Sequence, residues 1–226
     1  MYEKGHVDAT TENLLAAGVD LILERGLRPA LPRFALRDVA ERAGVSPGSL
    51  YQRWPNTEAF LKALAIHLME EQISSNRPDK YLLPLLEQGL RGNELVRAWA
   101  RLDLKAITGS PKWHAKLALW PLLNDPEVAE AVRGHYRRAD AADVGPFRLM
   151  IAWQGGRLRE NLSEENITLL RTAMREGLAV RSIIDPDIVR DDIRTDDLTE
   201  TDSDWSLLAL SLAAISASFI EKATDD

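Results

Sequence analysis

Residues 36–60 have the types and spacing needed to present hydrogen-bonding side chains to a DNA duplex. A run with apolar residues at helical spacing ends at Gly44, which can adopt the positive φ of a helix end without a steric penalty. Ser46 is placed to cap a second helix, and Pro47 then takes its first position, where no N–H is needed. Pro55 ends this helix. A helix, a glycine turn and a capped second helix form the arrangement that lays its second helix in the major groove.

The charge distribution favours contact with phosphates, although the net charge of the chain is −7. Residues 185–204 hold nine acids against two arginines, so this segment alone carries −7 and the remainder is neutral. A positive stretch can be an ordinary solvated face, but overlap with the helix-turn-helix pattern favours a surface that faces phosphates. Residues 25–53 carry this positive charge, a local +4 from six arginines (Arg25, Arg28, Arg33, Arg37, Arg42 and Arg53) against Asp38 and Glu41.

Composition indicates a helical globular protein. The chain has 226 residues, 45% of them hydrophobic and 28% charged, and strand signals are weak, which predicts an all-α fold of about nine to ten helices. The absence of cysteine excludes disulfides and thiolate metal sites. The N-terminus lacks the apolar centre of a signal peptide, and the longest largely apolar segment, Leu207 to Ile220, is too short to span a bilayer. We therefore expect a cytoplasmic protein with no membrane partner.

The helix signals divide the chain into two expected domains. A helix-turn-helix DNA-binding domain over 8–55 precedes a helical ligand-binding and dimerisation domain over 56–226, which begins with a connecting helix over 56–75. The acidic stretch 185–203 is predicted to be a flexible loop, because like charges repel and little apolar surface can hold it in place.

Cap and breaker residues predict several helix ends. Thr10 or Thr11 is expected to cap the first helix. Pro146 is expected to start a helix separate from the one that begins at Asp125–Pro126. The last helix is expected to run from Ser203 or Asp204 to about Ala223.

The last two predicted helices carry apolar residues at coiled-coil spacing. Any one such line, taken alone, is more often intramolecular core. However, a single helix in the major groove contacts too few bases for useful specificity. We therefore predict that the apolar residues of both helices form the interface of a homodimer, whose two DNA-binding helices recognise a palindrome. The predicted interface residues are Ile167, Leu170, Met174, Leu178, Trp205, Leu208, Leu212, Ile215 and Phe219.

Leu14 to Phe60 resembles the N-terminal domain of TetR-type bacterial regulators. The resemblance rests on Glu24–Arg25–Gly26, on RDVAERAGVSPGSLY from Arg37 to Tyr51, and on the run from Trp54 to Glu58. A weaker likeness to the end of a dimer-forming helix lies in EGL at 176–178 and IDP at 184–186. The resemblance implies an all-α homodimer whose second domain binds a small-molecule effector that controls the affinity for a double-stranded DNA operator, most often by releasing a repressor.

The same resemblance assigns roles to residues of the reading helix. Gly48 and Ser49 correspond to small positions that let the helix approach DNA, and Tyr51 to a phosphate-contacting tyrosine. Gln52 and Arg53 fall at groove-facing positions, where glutamine can bond to adenine and arginine either to guanine or to a phosphate. The predicted DNA-binding residues are Arg37, Ser46, Pro47, Gly48, Ser49, Tyr51, Gln52, Arg53 and Thr57.

The chain departs from the family pattern at several phosphate-contacting positions. The loop 27–35 is longer than usual, and Phe34 and Ala35 replace a threonine pair that often opens the second helix. Pro47 and Thr57 stand where basic residues are common. Either the phosphate contacts are fewer, or Arg28, Arg33 and Arg37 replace them. We expect the affinity for DNA to depend on salt less steeply than in a strongly basic domain. The departures also leave open an alternative: a ligand-binding dimer of the same fold with weak or lost sequence-specific DNA binding.

Aromatic residues concentrated in the middle of the chain suggest an effector pocket, although each one separately is more often core. We expect a pocket for a small apolar or aromatic molecule, lined by Trp99, Asp103, Trp113, Trp120, Tyr136 and Trp153.

Enzymatic motifs are missing from the sequence. The one Glu-x-x-His pair, Glu3 to His6, lies in the N-terminal tail, and there is no His-Glu-x-x-His, P-loop or Gly-x-Ser-x-Gly motif. We therefore expect no catalytic residues, no metal site and no cofactor.

Overall fold

The computed structural model describes residues 8–25, 34–70, 79–153, 155–189, 193 and 205–222. These residues form ten α-helices, which confirms the predicted all-α fold class. The helices are α1 (Ala9–Arg25), α2 (Leu36–Arg42), α3 (Pro47–Arg53), α4 (Thr57–Glu70), α5 (Asp79–Glu87), α6 (Gly92–Thr108), α7 (Pro111–Ala118), α8 (Pro126–Trp153), α9 (Glu164–Ile184) and α10 (Leu207–Phe219). Short 3₁₀ helices cover Trp120–Asn124 and Pro186–Val189.

The chain divides into two compact units, one within Met1–Gln72 and Ser110–Tyr136, the other within Ile73–Gly109 and Arg137–Asp226. In the first unit α1 packs against α2, α4 and α7. The cut therefore differs from the predicted boundary at residue 56, because α4 and α7 share a core with α1. The functional division at that boundary stays a prediction.

Aromatic stacking and close helix approach hold the core of the first unit. Phe60 is fully buried, and its ring packs on Phe34 and edge-on against Trp54. A Cβ at Gly18 would lie 2.8 Å from this ring, so glycine is what lets α1 come this close to α4. The surrounding buried residues include Leu14, Ile22, Leu36, Val39, Leu50 and Leu64.

In the second unit α6 lies at the centre and packs against α5, α9 and α10. Its buried face carries Leu95, Trp99 and Ile107. A two-stranded antiparallel ribbon follows, formed by β1 (Gly156–Leu158) and β2 (Ile220–Lys222). The last helix differs from its predicted bounds at both ends. It begins at Leu207, capped by Ser206, whose Oγ accepts the N–H of Ala209 at 3.2 Å, and not at Ser203 or Asp204. The expectation that it runs to about Ala223 was also wrong, because the chain leaves helical geometry after Phe219 and pairs with β1 instead.

Two further helix boundaries differ from the sequence prediction. The first helix is capped by Asp8, whose Oδ1 accepts the backbone N–H of Thr11 at 2.8 Å, and not by Thr10 or Thr11. The helix α8 continues through Pro146 and is not restarted there. Buried residues on both sides of this proline, Asp143 and Phe147 among them, supply packing that offsets the lost backbone hydrogen bond.

The acidic stretch 185–203 lies largely outside the described residues. Its described part comprises the 3₁₀ turn and Ile193, which exchanges backbone hydrogen bonds with Trp205 at 3.1 and 2.9 Å. The end of the predicted connecting helix, from residue 71 to 75, also lies outside them.

Candidate nucleic-acid interface

The turn between α2 and α3 has the geometry that the sequence predicted. Gly44 has φ +67°, and the N–H groups of Gly44 and Val45 donate to the carbonyls of Glu41 and Ala40 at 3.1 and 3.0 Å. This pair of bonds is the Schellman arrangement, which satisfies carbonyls left over at a helix end. The side-chain amide of Asn13 in α1 donates to the carbonyl of Ala43 at 3.0 Å, a support that lies thirty residues away in sequence.

The start of α3 is capped as predicted. The Oγ of Ser46 accepts the N–H of Ser49 at 3.2 Å, and Pro47 occupies the first helical position. Leu50 faces inward and is fully buried, which anchors the helix to the core. Leu50 therefore sets which side of α3 faces solvent.

The exposed face of α3 is formed by Pro47, Gly48, Tyr51 and Gln52. Tyr51 is 52% exposed, and its hydroxyl and the amide of Gln52 are the groups on this face that can hydrogen-bond. Among the described residues, a Cβ at Gly48 would meet the Oγ of Ser46 at 3.9 Å, which is ordinary van der Waals contact. A larger side chain at this position would therefore extend into the space in front of the exposed face.

The structure places Arg53 differently from its exposed neighbours. It is 26% exposed, and its guanidinium is held by Asp8, Thr11 and Ser49. Ser49 is half-buried and supplies two acceptors, its hydroxyl and its carbonyl. Sequence reasoning missed this arrangement, because Asp8 and Thr11 lie more than forty residues before Arg53.

Other predicted phosphate contacts have mixed surroundings. Arg37 is exposed, and no ion pair joins it to another described residue. Arg42 forms a two-fold pair with Glu24, with both N–O distances 2.6 Å. Thr57 is half-buried at the start of α4, where Asn56 caps the helix through the N–H of Ala59. Arg28 and Arg33 lie outside the described residues.

Phe34 and Ala35, which stand at the positions of the threonine pair, have different surroundings. Phe34 is a core residue against Phe60. Ala35 is the N-cap of α2 and supplies no side-chain hydrogen bond. The start of α2 therefore lacks the cap and the hydroxyl that threonines would provide.

The residues predicted to line an effector pocket divide between the two units. Trp99 and Asp103 are buried in α6 of the second unit, whereas Trp113, Trp120 and Tyr136 belong to the first. Trp120 is 43% exposed, and for Trp153 the structure describes the backbone but not the side chain. The predicted pocket stays a prediction.

An open groove of about 280 Å³ lies in the second unit. It is lined by the start of α6, by Gly155 and Gly156, and by Ala213 and Ser216 of α10. None of the six predicted pocket residues lines this groove.

The predicted interface residues fall into two groups. Ile167, Trp205, Leu208 and Leu212 are buried inside the second unit. Leu170 is exposed, and Met174, Leu178, Ile215 and Phe219 are half-buried. The apolar spacing of α9 and α10 therefore serves partly the intramolecular core, and the interface prediction now depends on the second group.

The inward face of α9 carries a buried ion cluster that sequence reasoning did not find. Arg171 is 0% exposed, donates to Asp103 at 2.7 Å and also pairs with Asp143. Arg175 contacts the other oxygen of Asp103 at 2.9 Å. Burial lowers the pKa of Arg171 to about 10, so it remains a cation at neutral pH. Burial raises the pKa of Asp103, but Arg175 and Arg171 outweigh it, and the pKa lies below its usual value.

Within the described residues, no helix combines the length and the apolarity that crossing a bilayer requires.

Comparison with known proteins identifies the N-terminal region. Residues 14–64 match the family model described as bacterial regulatory proteins, tetR family. No protein in a curated set matches the sequence.

Solved structures resemble the chain over nearly its whole length. A candidate TetR-family transcriptional regulator from Mesorhizobium loti MAFF303099 aligns with TM-score 0.61 and 12% identity, over 96% of this chain and 99% of its own. A candidate transcriptional regulator from Rhodococcus sp. RHA1 gives 0.59 and 12%, over 92% of each chain. A candidate TetR-family regulator from Vibrio parahaemolyticus gives 0.52 and 16%, over 93% of this chain and 98% of its own. At these identities the likeness establishes a shared fold.

Proposed function

We propose that this chain, whose N-terminal domain belongs to the TetR family of bacterial regulatory proteins, is a repressor that binds a palindromic DNA operator as a homodimer. The observation that supports this most strongly is the exposed face of α3. A capped helix presents two hydrogen-bonding side chains, Tyr51 and Gln52, beside Gly48, where an added Cβ would meet no described atom closer than 3.9 Å. Such a helix fits the major groove.

The roles of the exposed side chains follow from their chemistry. The Tyr51 hydroxyl suits a phosphate oxygen, and the Gln52 amide can donate to and accept from one adenine edge. Arg37, exposed on α2, supplies a cation for a further phosphate. Among the described residues of α2 and α3, few cationic side chains are exposed, which supports a shallow salt dependence of the affinity for DNA.

Dimerisation through α9 and α10 is supported by apolar side chains on their outer surfaces. Leu169 is 59% exposed on α9, next to the exposed Leu170. Leu207 is exposed at the start of α10, which packs against α9. Large apolar side chains that are exposed on neighbouring helices are typical of a surface that a partner covers.

We also propose that a small apolar or aromatic effector bound in the helical domain releases the repressor from DNA. The protein would have two conformations, one that binds DNA and one that does not. An effector can change their proportions only if it binds one conformation more tightly than the other. This part of the proposal rests on the family resemblance and on the aromatic residues of the helical region.

Selection of duplexes from a random pool by the purified full chain tests the function. Enrichment of a palindrome, together with sedimentation as a dimer at micromolar concentration, is the expected result. Retention no better than nonspecific DNA at low salt would contradict it. That result would favour the alternative of a ligand-binding dimer without specific DNA binding, for which the uncapped start of α2 at Ala35 is the supporting observation.

A further inference from the structure

Arg53, the last residue of α3, is bound to the first turn of α1. Its Nε donates to the Oγ1 of Thr11 at 3.0 Å, and its Nη2 donates to the Oδ2 of Asp8 at 3.0 Å. Its Nη1 donates within α3, to the carbonyl and the hydroxyl of Ser49 at 2.9 and 2.8 Å. The Arg53 side chain thus links Ser49, near the start of α3, and the end of α3 to the start of α1.

The donor count limits what else Arg53 can do. A guanidinium has five N–H donors, and the four contacts above leave one of them, on Nη2. Bidentate recognition of guanine needs two parallel N–H groups. Arg53 therefore cannot read a guanine without giving up contacts that the free protein already has.

Asp8 is organised to hold this arginine. Its Oδ1 caps α1 by accepting the N–H of Thr11, and this leaves Oδ2 for Arg53. The Thr11 N–H and the Arg53 guanidinium lower the pKa of the Asp8 carboxyl, so Asp8 stays charged at neutral pH. The carboxylate that begins α1 is the same one that holds the end of α3.

The neighbouring Gln52 has the opposite environment. It is exposed, and no hydrogen bond joins its side chain to another described residue. Its amide can therefore reach a base edge at no cost in intramolecular contacts.

We infer that Arg53 is a positioning residue, which fixes the direction of α3 through Asp8 and Thr11, and that Gln52 is the side chain of α3 that reads a base. This inference rests on the proposed DNA-binding function. It divides two adjacent residues, both predicted to face the groove, into one that holds the helix and one that specifies the sequence.

The first test measures binding to a set of duplexes that carry single base-pair changes in the selected operator. Gln52→Ala should lose discrimination at one base pair per half-site, by about five- to 150-fold. Arg53→Ala and Asp8→Asn should instead weaken binding to every duplex by a common factor, leaving the preferences unchanged. Loss of preference at one base pair in Arg53→Ala but not in Asp8→Asn would overturn the inference.

Two further variants separate position from charge. Arg53→Lys keeps the cation but cannot make the four contacts, so it should behave like Arg53→Ala; behaviour like the original chain would overturn the inference. Glu41→Gln is the matched control for Asp8→Asn, because it removes one exposed carboxylate from the same unit. It should not weaken binding, and weakening equal to that of Asp8→Asn would overturn the role of Asp8.

Hydrogen exchange in the free protein tests the contact without DNA. Asp8→Asn and Arg53→Ala should both accelerate exchange of the α3 amides, and Arg53→Ala should do so more, because it also removes the contacts to Thr11 and Ser49. The double variant should exchange no faster than Arg53→Ala alone, because the contact to Asp8 is already lost in that variant. Unchanged exchange would overturn the inference. If the original chain enriches no duplex, the proposed function fails, while exchange still decides whether Arg53 positions α3.

Discussion

Arg53 and Arg171 are both held by aspartates, but in opposite surroundings. Arg53 lies at the edge of the first unit, where Asp8 is 57% exposed and water can replace any lost partner. Arg171 is fully buried in the second unit between Asp103 and Asp143, with the rings of Trp99 and Phe147 about it. The same pair of residue types therefore joins two helices at the surface of one unit and forms a buried ion cluster in the other.

The difference follows from the cost of removing charge from water. An exposed pair gains little net energy because its ions are already well solvated. A buried pair has paid for desolvation, so removing one partner leaves a charge that nothing compensates. The helix-turn-helix region should therefore depend on hydrogen bonds and backbone geometry, and the second unit on complete charge pairing.

The largest expected effect is that of Asp103→Ala. It removes a partner of both Arg171 and Arg175, and should lower the free energy of unfolding by about 3–5 kcal/mol, measured by denaturant titration. Asp8→Ala is the matched control, because it removes the aspartate from the exposed arginine. Equal losses in the two variants would remove the distinction between the two regions.

A smaller effect is expected when acid protonates Asp103. Its folded-state pKa lies below its unfolded value, so the contribution of Asp103 is present above the unfolded pKa and is lost as pH falls through the folded one. Unfolding free energy should therefore decline below a pH of about 4. The decline should be shallower in Asp103→Asn, and identical slopes in the two proteins would show that Asp103 does not contribute to the pH dependence of stability.

In the turn between α2 and α3, Gly44→Ala should lower the free energy of unfolding by about 1–2 kcal/mol, because φ +67° is a left-handed conformation. Apart from its two chain neighbours, no described residue lies within 4 Å of the added Cβ, so we attribute the cost to the backbone conformation. Gly177→Ala in α9 is the control: it also has open space and no positive φ, and should stabilise the helix. A neutral Gly44→Ala would contradict the geometry of this turn.

The smallest effect separates stability from DNA binding. Ser46 and Ser110 each cap a helix that starts with proline, and their Oγ atoms accept N–H groups at 3.2 and 3.3 Å. Ser46→Ala and Ser110→Ala should each cost about 1 kcal/mol in thermal or chemical unfolding. Ser46→Ala should also weaken operator binding, and Ser110→Ala should not. Equal weakening by both would mean that the cap has no special role at the interface.

Much of the helix-turn-helix geometry could be predicted, because the residues that determine it are close in sequence. The positive φ of Gly44, the cap at Ser46, Pro47 at the first helical position and the inward Leu50 lie within seven residues, and the structure has all four. Pro146 shows the limit of local rules. A proline normally ends a helix, but buried neighbours on both sides hold α8 together through it.

The faces of α9 show the same limit for apolar patterns. Spacing placed Ile167 and Leu170 on one line, but in the structure Ile167 is buried and Leu170 is exposed. The buried residues of α9 instead include Thr168, Arg171 and Thr172. Of these, Arg171 is paired with Asp103 of α6 and Asp143 of α8.

The amino-acid sequence by itself determined the fold class and the local form of the helix-turn-helix motif, because helix caps, turns and apolar periodicity act over a few residues. Only the tertiary structure decided which charges meet. Arg53 finds Asp8 forty-five residues away, and Arg171 finds Asp103 sixty-eight residues away, through helix packing that no local pattern encodes.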